Sequence, residues 1–121
     1  MPVNVLEAFE RIVSARGGVP GAIFFKPLIL ENGDALSVQA NRGAYCKPRD
    51  DLGPYDHIEV GVFFRGNRMP RSWQRYCEGP PDEHNLRVFA YIPVELVREH
   101  IMKHCPRAVR EQEARLLEEE G

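Results

Sequence analysis

The spacing of apolar residues along the chain changes between a helical and an extended period, which predicts a mixed α+β fold. Near the start, apolar side chains recur at every third or fourth position, as on one face of a helix. Asn4 and Glu7 resemble a capping pair at the beginning of this segment. Glycine and proline follow from Gly17 onward and are typical of a helix end. We therefore predict an N-terminal helix over residues 1–16.

The middle of the chain, residues 22–92, is predicted to form an antiparallel β-sheet of about four or five strands with two long loops. Asn32-Gly33 between two apolar segments is typical of a type I′ hairpin turn. Gly61 is placed on the polar face of its strand, where it allows another group to approach closely. The predicted strands are residues 22–25, 28–30, 34–40, 57–64 and 86–92, and a short helix carrying Trp73 and Tyr76 is predicted over 70–77.

Two further helices are predicted after the sheet. Pro93 opens a core helix over residues 93–105, and a charged helix follows over 107–120. The charged helix is either a free end or a contact with another subunit, so a homo-oligomer is one of the alternatives. The length of 121 residues suits a single domain, 1–121, with helices packed on one face of the sheet. The predicted apolar anchors of the charged helix are Val109, Leu116 and Leu117.

Composition and charge restrict the class of protein. The hydrophobic fraction of 43% is typical of a globular chain, and no apolar run approaches the roughly 20 residues that span a bilayer. The start lacks the layout of a secretion signal, so we expect a cytoplasmic protein without a membrane partner. The formal net charge of −2 argues against nucleic acid as the partner. The three cysteines do not suggest a disulfide framework.

Catalytic and metal-binding signatures are weighed next. His100 and His104 have a chelating spacing, but Ile101 stands where a metalloprotease helix carries glutamate. The alternative interpretation places both histidines on the exposed side of their helix. Cys46 and His57 form a conceivable nucleophilic pair, although nothing nearby supplies an orienting group. We therefore predict no catalytic residue, no metal and no cofactor, with an enzyme as the alternative.

Arginine and aromatic residues are mixed in the two long connections of the sheet. Arginine forks hold phosphate oxygens and aromatic faces stack on bases. If both connections leave the same end of the sheet, they form a pocket for a small nucleotide. In the alternative interpretation the arginines are a solvated face, and Trp73 and Tyr76 pack as core. The candidate ligand-binding residues are Arg49 and Arg71 for phosphates, Trp73 and Tyr76 for a base, Asn85 for a polar edge, and Tyr45.

Several short stretches within residues 35–104 resemble a family of small bacteriophage proteins, the anti-Thoeris sponges. The stretches are Leu36–Ala40, Tyr45–Arg49, Gly53–Tyr55, Ile58–Gly61 and Tyr91–Val97. The resemblance implies a protein that binds cyclic ADP-ribose signals without cleaving them and so silences a host defence enzyme. It also implies a pocket of arginine and aromatic side chains near a subunit interface, to which Tyr45 and Arg49 belong.

The function expected from these observations is non-catalytic. The chain is predicted to be a phage anti-defence protein that sequesters a cyclic nucleotide immune signal, either a cyclic ADP-ribose isomer or a cyclic oligonucleotide, in the host cell cytoplasm. The alternative is a protein–protein inhibitor of a bacterial defence complex, comparable to an anti-CRISPR protein.

Overall fold

The fold is taken from a computed structural model, which describes residues 4–14, 27–41, 43–50, 53–65, 69–80 and 86–120. Four antiparallel strands in the order β1-β2-β3-β4 form one sheet, and three α-helices and a 3₁₀ helix accompany it. This confirms the predicted α+β class. The elements are α1 (Val5–Val13), β1 (Leu28–Ile29), β2 (Ala35–Gln39), β3 (His57–Phe63), the 3₁₀ helix (Arg71–Tyr76), β4 (Arg87–Pro93), α2 (Val94–His104) and α3 (Pro106–Glu120). The strand predicted over residues 22–25 lies outside the described residues.

The core joins one face of the sheet to the helices. Alternation in β2 and β3 turns every second side chain inward, and α1 and α2 contribute their apolar stripes to the same cluster. Asn4 caps α1, since its Oδ1 accepts a hydrogen bond from the Glu7 N–H at 2.9 Å. The largest fully buried members include Phe9, Leu36, Ile58, Trp73, Phe89 and Ile101.

The turn between β1 and β2 differs from the predicted type I′ turn. The Gly33 N–H donates to the Leu30 carbonyl at 3.0 Å, so the central turn residues are Glu31 and Asn32. Gly33 follows them with a φ of 97°. Asn32 does not have the positive φ that a type I′ turn requires, because Tyr91 is the only non-glycine residue with positive φ in the described ranges. The arrangement is a turn followed by a left-handed glycine, which directs Asp34 inward.

Helix α3 is attached only partly as predicted. Val109 is partly buried and packs against the core, whereas Leu116 and Leu117 are 58% and 70% exposed and do not anchor the helix. Ala108 is buried instead, and the Glu31 carboxylate accepts hydrogen bonds from the N–H groups of Arg107 and Ala108 at 3.2 and 3.1 Å. A carboxylate at a helix N-terminus is favourable because it satisfies free N–H donors.

Across the described residues, no helix combines the length and apolar character needed to cross a bilayer.

Candidate functional site

A β-bulge in β4 is the main irregularity of the sheet. Ile58 pairs with Ile92 but Val60 pairs with Phe89, so two residues of β4, Ala90 and Tyr91, lie opposite one residue of β3. Tyr91 adopts a φ of 51°, a conformation that non-glycine residues rarely take. The bulge keeps Phe89 and Ile92 in the core, where both are fully buried, and places Tyr91 away from it. Bulges frequently redirect a side chain next to a functional site.

The connection between β2 and β3 is tied to this bulge. The Tyr91 N–H donates to the Tyr45 carbonyl at 3.0 Å, and the Tyr45 N–H donates to Glu59 Oε1 at 3.2 Å. Two residues further, the Lys47 N–H donates to the His57 carbonyl at 2.9 Å. These bonds hold the segment around Tyr45 and Lys47 against β3 and β4.

The connection between β3 and β4 reaches the same place by another route. In this antiparallel order the β2–β3 and β3–β4 connections leave opposite ends of the sheet. The pocket expected from the sequence required both connections to leave the same end. After the 3₁₀ helix, however, the chain returns along the free edge of β4. Cys77 pairs with Phe89, and the Glu78 N–H donates to the Val88 carbonyl at 2.7 Å. The end of the 3₁₀ helix therefore meets the segment around Tyr45 at the bulge.

Between these segments lies a concave site of about 480 Å³, which we call the β4 groove. This volume is in the range of small-molecule sites. Two of its side chains are cations and one, Glu78, is a carboxylate. The groove is lined by Lys47, His57, Arg75, Tyr76, Cys77, Glu78, Ala90 and Tyr91.

Cations and aromatic rings are paired around the groove. Lys47 Nζ lies 5.8 Å from the centre of the Tyr91 ring, and the Arg75 guanidinium lies 5.7 Å from that of Tyr76. A third pair adjoins them: the Arg49 guanidinium is 5.4 Å from the Tyr45 ring, which in turn is 5.7 Å from the Tyr91 ring. Such contacts position both the positive charge and the ring face.

The predicted site residues fall into different places. Tyr76 lines the β4 groove, and Tyr45 and Arg49 adjoin it through the contact of Tyr45 with Tyr91. Arg71 is exposed at the start of the 3₁₀ helix and does not line the groove. Asn85 lies outside the described residues.

The assignment of Trp73 as a base-stacking residue is wrong. The Trp73 side chain is 1% exposed, and its ring contacts Phe89 edge-on at a centroid distance of 5.1 Å. It also lies 5.0 Å from the His100 ring. The alternative interpretation of Trp73 as core is therefore confirmed, because its ring packs among core side chains.

Sequence reasoning missed Lys47, His57 and Tyr91 as groove residues. Lys47 stands between Tyr45 and Arg49, in the long connection whose arginine and aromatic residues indicated a binding surface. Tyr91 could not have been found by alternation, since Val88–Ile92 is continuously apolar or aromatic and hides the bulge. His57 also lines the groove, and its buried Nδ1 has no hydrogen-bond partner among the described residues.

A second polar cluster lies inside the core, centred on Asp34. This side chain is fully buried, and its Oδ1 accepts from the Arg65 N–H at 2.8 Å. Its Oδ2 is 3.1 Å from Asn32 Nδ2 and 3.2 Å from His100 Nε2. Asp34 therefore links the β1–β2 turn, the end of β3 and helix α2.

His100 is not on the exposed side of α2, as the alternative interpretation of the histidines had it, because only 5% of the residue is exposed. Burial lowers the pKa of His100, while the hydrogen bond to Asp34 opposes this effect and His104 and Lys103 lower the pKa further. The neutral ring is thus the form that the fold favours.

Stability is expected to fall as the pH drops below about 6.5, the pKa of histidine in an unfolded chain. The lowered pKa means that the unfolded chain binds a proton there more readily than the folded one. The contribution is fully present above pH 6.5 and is lost as the pH falls through the folded-state pKa. Urea unfolding between pH 5 and 7.5 measures it, with His100→Gln as the comparison. An equal slope in that variant contradicts the assignment.

Two of the three cysteines, Cys46 and Cys105, are buried, whereas Cys77 is partly buried and lines the β4 groove. Cys46 is fully buried, and its Sγ lies 3.1 Å from the Asn41 carbonyl oxygen. Burial raises the pKa of the Cys46 thiol, as it does for Cys105. A protonated thiol is a poor nucleophile, so the burial of Cys46 does not favour the Cys46–His57 pair considered above.

No protein-family model matches the chain, and searches of curated proteins and of solved structures find no significant match. Similarity therefore assigns no family, and the function has to be argued from the site.

Proposed function

We propose that the β4 groove binds a small phosphate-bearing nucleotide and holds it without chemical change. The observation that carries the proposal is the set of cation–aromatic pairs at the groove, Lys47 with Tyr91 and Arg75 with Tyr76, together with the adjoining Arg49 and Tyr45. Cations neutralise phosphate and aromatic faces accept a base, so one groove supplies both halves of nucleotide recognition. In its specific form, the ligand is a cyclic ADP-ribose isomer or a cyclic oligonucleotide that the protein sequesters from a defence system.

In this proposal Lys47 and Arg75 contact phosphate oxygens, while the rings of Tyr76 and Tyr91 stack on a base. The partly exposed ring of Tyr45, 45% exposed, and the Arg49 guanidinium extend the surface beyond the groove. Arg49 keeps the phosphate role expected from the sequence. Arg71 and Trp73 have no role in it.

The segment around Tyr45 and Lys47 is held in place without a ligand, which supports tight binding. Tyr45 and Lys47 are held by backbone hydrogen bonds to β4 and β3. Further along the same loop, the Tyr55 hydroxyl donates to the Asp50 carbonyl at 2.8 Å, and the Tyr55 N–H donates to the Val13 carbonyl at 2.7 Å. Binding to a preformed surface avoids the loss of conformational entropy that ordering a loop would require.

A thermal-shift screen against cyclic ADP-ribose isomers, cyclic dinucleotides and cyclic trinucleotides tests the proposal. Ligand at 100 times its dissociation constant stabilises a fold by about 2.7 kcal/mol, which corresponds to roughly ten degrees for a domain of this size. We expect such a shift with one class of nucleotide, and we expect chromatography to recover that nucleotide unchanged.

Two arginines of the 3₁₀ helix provide a matched control. Arg75→Ala removes a groove cation and is expected to weaken the shift, whereas Arg71→Ala removes an exposed arginine outside the groove and is expected to leave it intact. No shift with any nucleotide, or equal effects of the two substitutions, would contradict the proposal. Conversion of the nucleotide to a product would replace binding by an enzymatic function.

One observation favours the alternative of a protein–protein inhibitor. Ile29 and Phe63 are 62% and 36% exposed, and each pairs with Ala35 across the sheet, so the three side chains share the face opposite the core. An exposed apolar row of this kind suits a protein partner. If the nucleotides produce no shift, retention of a host protein that Phe63→Ser abolishes supports this alternative.

A further inference from the structure

A second concave site, separate from the β4 groove, lies between the 3₁₀ helix and α2. It has a volume of about 360 Å³, and we call it the α2 cavity. His100 and His104 both line it, and their rings are 4.5 Å apart between centroids. The other lining residues are Pro70, Ser72, Trp73, Leu96, Glu99 and Lys103.

The helix itself creates this pairing of imidazoles. Residues four apart lie on the same face of an α-helix, and two histidines at this spacing can chelate one metal ion. His100 is held in place by the packing of Trp73 and Phe64, whose ring centres are 5.0 and 6.0 Å from its own. His104 lies one turn nearer the end of α2 and is only partly buried. Both histidines line the cavity, so an ion in the cavity can contact both rings.

Asp34 fixes which nitrogen of His100 carries the proton. Both oxygens of the Asp34 carboxylate accept hydrogen bonds from groups that can only donate, the Arg65 N–H and the Asn32 amide nitrogen. The carboxylate is therefore the acceptor toward His100 Nε2, 3.2 Å away, and that nitrogen carries the hydrogen. The lone pair is left on Nδ1. A carboxylate behind a histidine is the usual arrangement around a metal-bound imidazole, where it orients the ring and raises its basicity.

We propose that the α2 cavity binds a divalent transition-metal ion such as Zn²⁺ through Nδ1 of His100 and a ring nitrogen of His104. Imidazole nitrogen is a preferred ligand of zinc. Among the described residues no group of three or more histidine, cysteine, aspartate or glutamate side chains could hold a metal ion. In this proposal water therefore completes the coordination of the two imidazoles. Glu99 and Lys103 line the same cavity with opposite formal charges and offset each other. With two protein ligands, the site is expected to be weaker than a four-ligand structural zinc site.

Titration calorimetry of the metal-free full chain with ZnCl₂ at pH 7.5 tests this site. We expect one Zn²⁺ per chain, and we expect His104→Gln to abolish that binding, since one imidazole no longer chelates. Asp34→Asn is expected to weaken it by about 10- to 100-fold, the usual effect of losing the carboxylate behind a metal ligand. Met102→Gln, at an exposed position of the same helix, is the matched control and should leave the affinity unchanged.

The His104→Gln variant keeps the proposal falsifiable even if Asp34→Asn fails to fold, because His104 is only partly buried. Absence of Zn²⁺ binding to the parent chain would overturn the proposal, as would full-strength binding to His104→Gln. A second readout is the nitrogen spectrum of the imidazoles, in which Zn²⁺ should shift Nδ1 of His100 and leave Nε2 protonated. A shift of the His57 ring alone would place the metal elsewhere and would also overturn it.

Discussion

Replacing Asp34 with alanine is expected to lower the free energy of unfolding by about 3–5 kcal/mol, because three hydrogen bonds to a carboxylate are lost and each contributes about 1.5–3 kcal/mol. The carboxylate is fully buried and accepts from the Arg65 N–H, the Asn32 side chain and His100. Alanine would leave the buried His100 and two partly buried donors without their acceptor, and an unsatisfied buried group costs about 1–3 kcal/mol. Urea denaturation followed by circular dichroism measures the change.

The matched control is Glu118→Ala, which removes an exposed carboxylate from α3. Exposed substitutions of this kind usually change stability by no more than about 0.5 kcal/mol. A loss below about 1 kcal/mol for Asp34→Ala would show that water or a neighbouring side chain replaces the carboxylate. Since whole domains are stable by only about 5–15 kcal/mol, the expected loss is large enough to make the variant sensitive to temperature.

Replacing Tyr91 with alanine is expected to weaken binding of the nucleotide identified by thermal shift by about 1–3 kcal/mol, the range measured for a ring stacked on a base. This corresponds to roughly a 5- to 150-fold higher dissociation constant. The Tyr91 ring lines the β4 groove and contacts Tyr45, with Lys47 Nζ on its face, so its removal takes away one stacking surface and one cation–π contact. Calorimetric titration measures the affinity.

Tyr91→Gly separates binding from backbone strain. Both variants lack the ring, but glycine adopts the φ of 51° at this bulge without the roughly 1–2 kcal/mol penalty of an L-residue. We therefore expect the glycine variant to unfold at a higher urea concentration than the alanine variant, with the same loss of affinity. Equal affinity in the parent and both variants would show that the ligand does not contact Tyr91.

The local elements could be predicted from sequence because each is determined by neighbours along the chain. The apolar period of α1 and its Asn4 cap, and the alternation of β3, are properties of a few consecutive residues. Close approach at Gly61 was also predictable: the space beside it is occupied by Leu86, whose Cδ1 would lie 3.4 Å from an added Cβ. The α+β class follows from these elements.

The candidate site could be predicted only in part. Tyr76, Tyr45 and Arg49 were found because arginine and aromatic residues in long loops indicate a binding surface. Trp73 carries the same signal as Tyr76 three residues away, yet one ring is buried and the other lines the groove. Sequence cannot separate them, because the difference is the direction each side chain takes from a 3₁₀ helix packed against β4.

The sequence by itself determined the α+β class, the helices after Pro93 and the inward faces of β2 and β3, since these depend on periodicity and capping. Only the tertiary structure decided which side chains meet. The bulge that turns Tyr91 toward the groove, the return of Cys77 along β4 and the burial of Asp34 against His100 each join residues far apart in the chain. The physical reason is that such contacts depend on strand register and on packing in three dimensions, which no local window of residues encodes.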